Sequence, residues 1–198
     1  MKILGIVGSM RRKGNTNLLI KEVLKSAKTI NSQIETEILQ VSELKIESCQ
    51  ACYELCSKEP YKCVIEDDLE KVFKVMKSAD GIVIGSPLYF RIPSRLTAFV
   101  ERLLCLSYFY KMRGFNKPHP LTDKPCGLIA VTGGDSPMPV LEYLLHFVLA
   151  MRMKPIMLKA YPYLGVGGTG NVKEDEDLKP IENAKILGQL LVKHIEEK

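Results

Sequence analysis

Residues 2–17 read KILGIVGSMRRKGNTN, an apolar run that passes through a loop of glycines, hydroxyls and cations into a helical pattern. A short apolar run without polar alternation is what a strand buried on both faces of a parallel sheet requires. Thr16 is placed to cap the helix that follows, in which Leu18, Leu19, Val23, Leu24 and Ala27 recur at helical spacing. The loop from Gly8 to Asn17 opens that helix, where free backbone amides and the positive end of the helix dipole favour a phosphate. It carries neither GxxxxGK[ST], because Asn15 and not lysine follows Gly14, nor GxGxxG. A triphosphate or dinucleotide grip is therefore disfavoured, and a phosphate monoester fits better. Read alone, the loop is also compatible with a plain strand-to-helix turn.

Working outward, short apolar runs keep alternating with helical patterns. A second strand is expected from Ile34 to Leu39, then an inserted loop over 45–66, then a helix from Asp68 to Ser78. Gly81 to Gly85 reads as a third strand, with Pro87 ending the pattern. A helix starting near Pro93 places Leu96, Phe99, Val100, Leu103 and Leu104 on its apolar face, with Glu101 and Arg102 on the other side. Residues 107–124 mix Tyr108, Phe109, Tyr110, Phe115 and two prolines without a period, the mark of a lid-like excursion. A strand from Gly127 to Val131, an apolar helix from Pro139 to Met151, a strand from Pro155 to Leu158 and a helix from Lys179 complete the series.

Five strands alternating with helices predict one α/β domain over residues 1–198, a doubly wound five-stranded parallel sheet with a cysteine-rich loop inserted after the second strand. Ligands of such sheets bind beyond the carboxyl ends of the strands. In the flavodoxin strand order, the loops after strands one, three and four share one crevice at the switch point. Here these are Gly8 to Asn17, Ser86 to Phe90, and Thr132 to Asp135. Tyr89 and Phe90 also suit loop packing, and Asp135 also suits a turn end.

The chain has 198 residues, 46% apolar and 26% charged, with a net charge of +5. That is an ordinary globular balance, with length for one substantial core. Lysines and arginines are scattered and not gathered into a stripe with aromatics, so a nucleic-acid partner is not expected. No segment reaches membrane-span length and no signal segment is evident, so a cytoplasmic protein without a membrane partner is expected.

Cys49, Cys52, Cys56 and Cys63 follow the pattern C-x2-C-x3-C-x6-C. Four closely spaced thiolates surround one metal centre readily, and soft sulfur selects an iron-sulfur cluster or zinc. Disulfides are disfavoured in a reducing cytoplasm. Cys105 and Cys126 fall in apolar runs and are expected as inert buried thiols. His119 and His146 lack ligand partners nearby in sequence, and His194 falls near the end of the last helix.

The opening GSMRRKGNTN, the segment SPLYFRIPSRLTAFVER, the TGG turn and the tail GNVKEDEDLKPIENAKILG resemble the NAD(P)H-dependent FMN reductase family of the flavodoxin-like superfamily. The resemblance implies that Ser9, Arg11, Asn15, Thr16 and Asn17 hold the FMN phosphate. It implies that Pro87, Leu88, Tyr89 and Phe90 line the isoalloxazine ring, Leu88 through its backbone, and that Thr132, Gly133, Gly134 and Asp135 lie near its pyrimidine edge. The cysteine insertion resembles the iron-sulfur flavoproteins, which implies a [4Fe-4S] cluster on Cys49, Cys52, Cys56 and Cys63, although their motif is usually one residue shorter between the second and third cysteines. Zinc or an empty site is the alternative.

The implied activity is electron transfer between an iron-sulfur centre, FMN and small redox acceptors such as oxygen species or quinones, from a ferredoxin-like donor. The alternatives are an NAD(P)H-dependent FMN or quinone reductase with a structural or empty cysteine site, and a non-enzymatic flavodoxin-like carrier. In each case the cofactor carries the chemistry, so no side-chain nucleophile or general base is expected. The helix LEYLLHFVLAM is apolar on most sides, and together with the resemblance this implies a homodimer or homotetramer.

Overall fold

β1 (Lys2–Val7) is an interior strand of a six-stranded parallel sheet, and every residue after its first is buried, as coverage of both faces requires. The computed structural model describes residues 1–56, 61–106, 119–170, 172 and 178–197. After β1 come α1 (Asn15–Ile30), β2 (Glu35–Gln40), a 3-10 turn at Val41–Glu43, α2 (Tyr53–Cys56), α3 (Leu69–Ser78) and β3 (Gly81–Pro87). They are followed by α4 (Ser94–Arg102), β4 (Pro125–Val131), α5 (Met138–Ala150), β5 (Lys154–Pro155), β6 (Val166–Gly168) and α6 (Lys179–Glu196).

The strand order β2-β1-β3-β4-β5, with β6 also on β4, is the flavodoxin-like winding, and all strand pairs are parallel. Strand alternation sends Ile3 and Val7 to one face and Leu4 and Ile6 to the other. The first set packs on Leu19, Ile20, Leu187 and Leu191 of α1 and α6. The second packs on Val72, Met76, Leu96, Phe99, Leu144 and Phe147 of α3, α4 and α5. The chain thus leaves β1 toward one face and β3 toward the other, and this divergence opens the switch-point crevice.

Several local expectations are corrected. Gly14, not Thr16, occupies the N-cap of α1, and Thr16 is buried at the second position of the helix. The strand expected at Pro155 to Leu158 pairs only as Lys154–Pro155 at the lower end of β4. The upper half of β4 is paired by Val166–Gly168, a segment too short and glycine-rich to show a period. Arg102, expected on the solvent side of α4, is 1% exposed, because Asp67 supplies a buried counter-charge. Leu104, expected on the apolar face, is exposed. Of the lid-like excursion, residues 107–118 lie outside the described residues, while His119 and Leu121 are buried in the body. No helix among the described residues is long and apolar enough to cross a membrane.

Candidate functional site

The three loops singled out by the sequence begin side by side, because the hydrogen-bond ladder continues past the strand ends. Gly8 N–H donates to the Gly85 carbonyl (2.8 Å), Leu88 N–H to the Val131 carbonyl (2.7 Å) and Thr132 N–H to the Gly168 carbonyl (2.9 Å). This row links the loops after β1, β3, β4 and β6 at the carboxyl edge of the sheet.

In the first loop, the Arg11 amide donates to Ser9 Oγ (3.1 Å), and Ser9 is buried. The first intrahelical bond of α1 runs from Leu18 N–H to the Gly14 carbonyl (3.1 Å), so the amides of Asn15, Thr16 and Asn17 have no acceptor within the helix. That is the donor set a phosphate needs. The Asn15 amide group donates to the carbonyls of Thr169 (3.2 Å) and Gly170 (2.7 Å), pinning the first turn to the loop beyond β6. Asn17 Nδ2 donates to the Arg12 carbonyl (2.8 Å), and its buried Oδ1 meets no donor among the described residues, which suits it to accept from a hydroxyl. Arg12 is paired with Glu43 (2.8 Å), and Arg11 is exposed.

Sequence reading missed Gln40. This buried residue ends β2, donates to the Ser9 carbonyl and lies 3.4 Å from Asn17 Nδ2, so it props the loop from beneath. Its only signal was a polar residue at the inner end of a strand.

In the second loop, the Leu88 amide is spent on Val131, Tyr89 is half exposed and Phe90 fully so, which excludes both aromatics from the core. In the third, Thr132 Oγ1 donates to the Asp135 carbonyl (2.6 Å) and closes the turn. Gly134 adopts φ +138°, a conformation side chains rarely take. A Cβ built on Gly133 or Gly134 meets nothing within 4 Å among the described residues, which leave this turn as an open ledge of backbone. A concavity of about 580 Å³ continues from Thr132 and Asp135 to Tyr161, Lys179 and Asn183.

The cysteine loop lies beside the far end of α4. Cys49, Cys52, Cys56 and Cys63, all partly buried, line one hollow together with Arg102 and Cys105. Burial, then the neighbouring Cys52 and Cys63, push the Cys56 thiol up. Burial first, then Cys63 and Cys56, push Cys105 up to about 12, which keeps it a neutral thiol. The hollow holds about 10 Å³, room for roughly one water. Among the described residues, no group of three His, Cys, Asp or Glu side chains is arranged to hold a single metal ion.

The sequence model of the NADPH-dependent FMN reductase family matches residues 1–164. The chain belongs to the NADPH-dependent FMN reductase family. This makes it a flavin-dependent oxidoreductase. An iron-sulfur flavoprotein of Methanocaldococcus jannaschii is 33% identical over 198 residues, covering 96% of this chain and 94% of the relative. One from Archaeoglobus fulgidus is 28% identical over 200 residues, covering 100% of this chain and 82% of the relative. The solved structure of a WrbA-like flavodoxin from Agrobacterium tumefaciens superposes with a TM-score of 0.63 at 11% identity, covering 99% of this chain and 97% of that one, and so shares the fold. For this member of the FMN reductase family, the loop row stands where flavodoxin-like sheets present their ligand sites.

Proposed function

We propose that the protein binds FMN across the loop row, carries a [4Fe-4S] cluster on Cys49, Cys52, Cys56 and Cys63, and passes electrons between them and small acceptors. The observation that carries the flavin half is the unbroken ladder from Gly8 through Leu88 to Thr132, beside an α1 first turn whose amides lack intrahelical acceptors. Ser9, Arg11, Asn15, Thr16 and Asn17 would hold the phosphate. Asn17 Oδ1 would accept from a ribityl hydroxyl, and Pro87 to Phe90 and Thr132 to Asp135 would flank the ring. FMN takes up electrons in pairs and releases them singly, and a cluster relays them one at a time. The chain's own task is then to bind, orient and insulate.

The donor set of the second site also fits. Four partly buried cysteine sulfurs lining one hollow are the soft donor set that a cationic iron-sulfur core takes. α4, about 13 Å long for its nine residues, begins just after the Pro87–Phe90 loop in sequence and ends at Arg102 beside the cysteine hollow. The groove of about 470 Å³ beside Cys49, Leu104, Tyr143 and Phe147, with exposed Leu149 nearby, supports a homodimer or homotetramer.

Anaerobic purification followed by flavin, iron and sulfide analysis tests this reading, and zinc alone in the site would reject the cluster. The second reading, with NAD(P)H as donor and no cluster, is supported by the family's NADPH dependence. Rapid flavin bleaching by NADPH in cluster-free protein would favour it.

A further inference from the structure

The cysteine loop leaves the body at Glu47 and returns at Ile65 to Asp67, and a side chain from another element grips both sides of that neck. Arg102, the last residue of α4, donates from Nη1 to the Glu47 carbonyl (2.9 Å) and Asp67 Oδ2 (2.7 Å). From Nη2 it donates to the Ile65 carbonyl and Asp67 Oδ1, both at 3.2 Å. Asp67 in turn accepts the Glu47 amide (2.9 Å) and the Leu69 amide (3.0 Å). Lys45 and Asp68 add a second pair of bonds, one step nearer the body. The Arg102 and Asp67 side chains are 1% and 6% exposed, so water does not compete for these bonds.

The guanidinium has a fifth N–H, on Nε, that is buried and meets no acceptor at hydrogen-bond geometry among the described residues, while the Cys63 sulfur is close enough to act on the guanidinium. A buried donor without a partner costs free energy, so a persistent one calls for an acceptor. Arg102 lines the same hollow as the four cysteines and Cys105, so sulfur is the prevailing acceptor chemistry among the described residues around it.

We infer that Arg102 is the positioning residue of the cysteine site: it clamps the loop neck and holds a fixed charge and one spare N–H beside the sulfur atoms of a metal-thiolate centre. The inference rests on the cluster proposed above. Four thiolates leave such a centre anionic, and one-electron reduction adds another negative charge. A water-shielded cation beside it therefore favours the reduced form. A planar fork is also what reaches two carbonyls and a carboxylate at once, which a lysine ammonium does not do.

The test compares the wild-type chain with Arg102→Lys, Arg102→Met and the double variant Asp67→Asn/Arg102→Met, all reconstituted anaerobically with ferrous iron and sulfide. The double variant removes the stranded carboxylate that could unfold Arg102→Met on its own. Expected are at least a twofold loss of bound iron and sulfide in both methionine variants, and a lower potential for whatever loads. The shift should be at least tenfold in the reduced-to-oxidised ratio at fixed potential, about 59 mV for one electron. Arg102→Lys should restore the potential but not the loading. Full loading at an unchanged potential in the methionine variants overturns the inference. If the wild-type chain takes up zinc or nothing, the cluster proposal falls and amide exchange decides the clamp in metal-free protein. Tenfold faster exchange at Glu47 and Leu69 without Arg102 supports the clamp, and unchanged exchange overturns it.

Discussion

Gly8→Ala tests whether the loops after β1 and β3 are joined as described. A Cβ at Gly8 would overlap Leu96 Cδ2 and stand 2.9 Å from the Gly85 carbonyl oxygen. Ordinary carbon contacts are about 3.5–4.0 Å, so both neighbours must move. Leu96 is fully buried, and the Gly85 carbonyl accepts the Gly8 amide at 2.8 Å, so the added methyl pries the strand ends apart. Overpacking of this kind costs about 1–3 kcal/mol. For a domain of this size that corresponds to a fall of about 2–12 °C in Tm. Gly133→Ala is the control, since its Cβ meets nothing within 4 Å, and its ligand-free stability should stay within about 0.5 kcal/mol of wild type. Its methyl nevertheless projects over the ledge proposed for the flavin ring. Melting curves with and without FMN separate the effects: Gly8→Ala lowers both, whereas Gly133→Ala loses only the stabilisation by FMN. A Gly8→Ala chain that melts with the wild type would refute the ladder argument, and unimpaired FMN binding by Gly133→Ala would move the ring off the ledge.

Four other outcomes follow from the same geometry. Burial works to raise the Asp67 pKa, but the bonds from Arg102, Glu47 and Leu69 outweigh it and leave it below 3.8. Its stabilising contribution is thus complete above that pH and disappears as pH falls through the lowered folded value; Asp67→Asn should lack this acid step and lose about 3–5 kcal/mol at neutral pH, measured by urea unfolding. His119 is held to about 4 by burial and then Arg152, so folding excludes a proton that the unfolded chain binds below 6.5. Stability should therefore fall by about 3 kcal/mol between pH 6.5 and 4, and His119→Asn, which keeps an acceptor for the Leu121 amide, should flatten that slope in urea midpoints. Cys105→Ala should retain full iron and sulfide, because Cys105 is a buried wall of the hollow outside the four-cysteine motif, whereas Cys52→Ser should lose them on metal analysis. Asn15→Ala removes two exposed bonds to the β6 loop, and fluorescence titration should show FMN affinity reduced about 5–10-fold at little cost in Tm.

The central strands were readable because burial on both sheet faces leaves an unmistakable signature: KILGIV, GIVIG and GLIAV contain almost nothing but apolar residues and glycine. The same reasoning failed at the sheet edge. There β5 keeps only two ladder residues and β6 is a three-residue VGG whose place depends on β4, not on any period of its own. The loops of the candidate site could be located from the strands they follow, but their props could not. Gln40 reaches the Ser9 carbonyl from another strand, and Arg102 meets Asp67 across 35 positions of sequence. A helical-face argument weighs each residue by its own polarity. It therefore assigned Arg102 to solvent along with Glu101, because a counter-charge brought in by the tertiary fold is invisible to it.

Crystals of the protein grown with FMN provide the most direct check on the flavin site. The phosphate should rest on the amides of the first turn of α1, with the ring between the Tyr89–Phe90 loop and the Gly133–Gly134 ledge. FMN seated instead in the concavity beside Tyr161 and Lys179, with the α1 turn bare, would contradict the account.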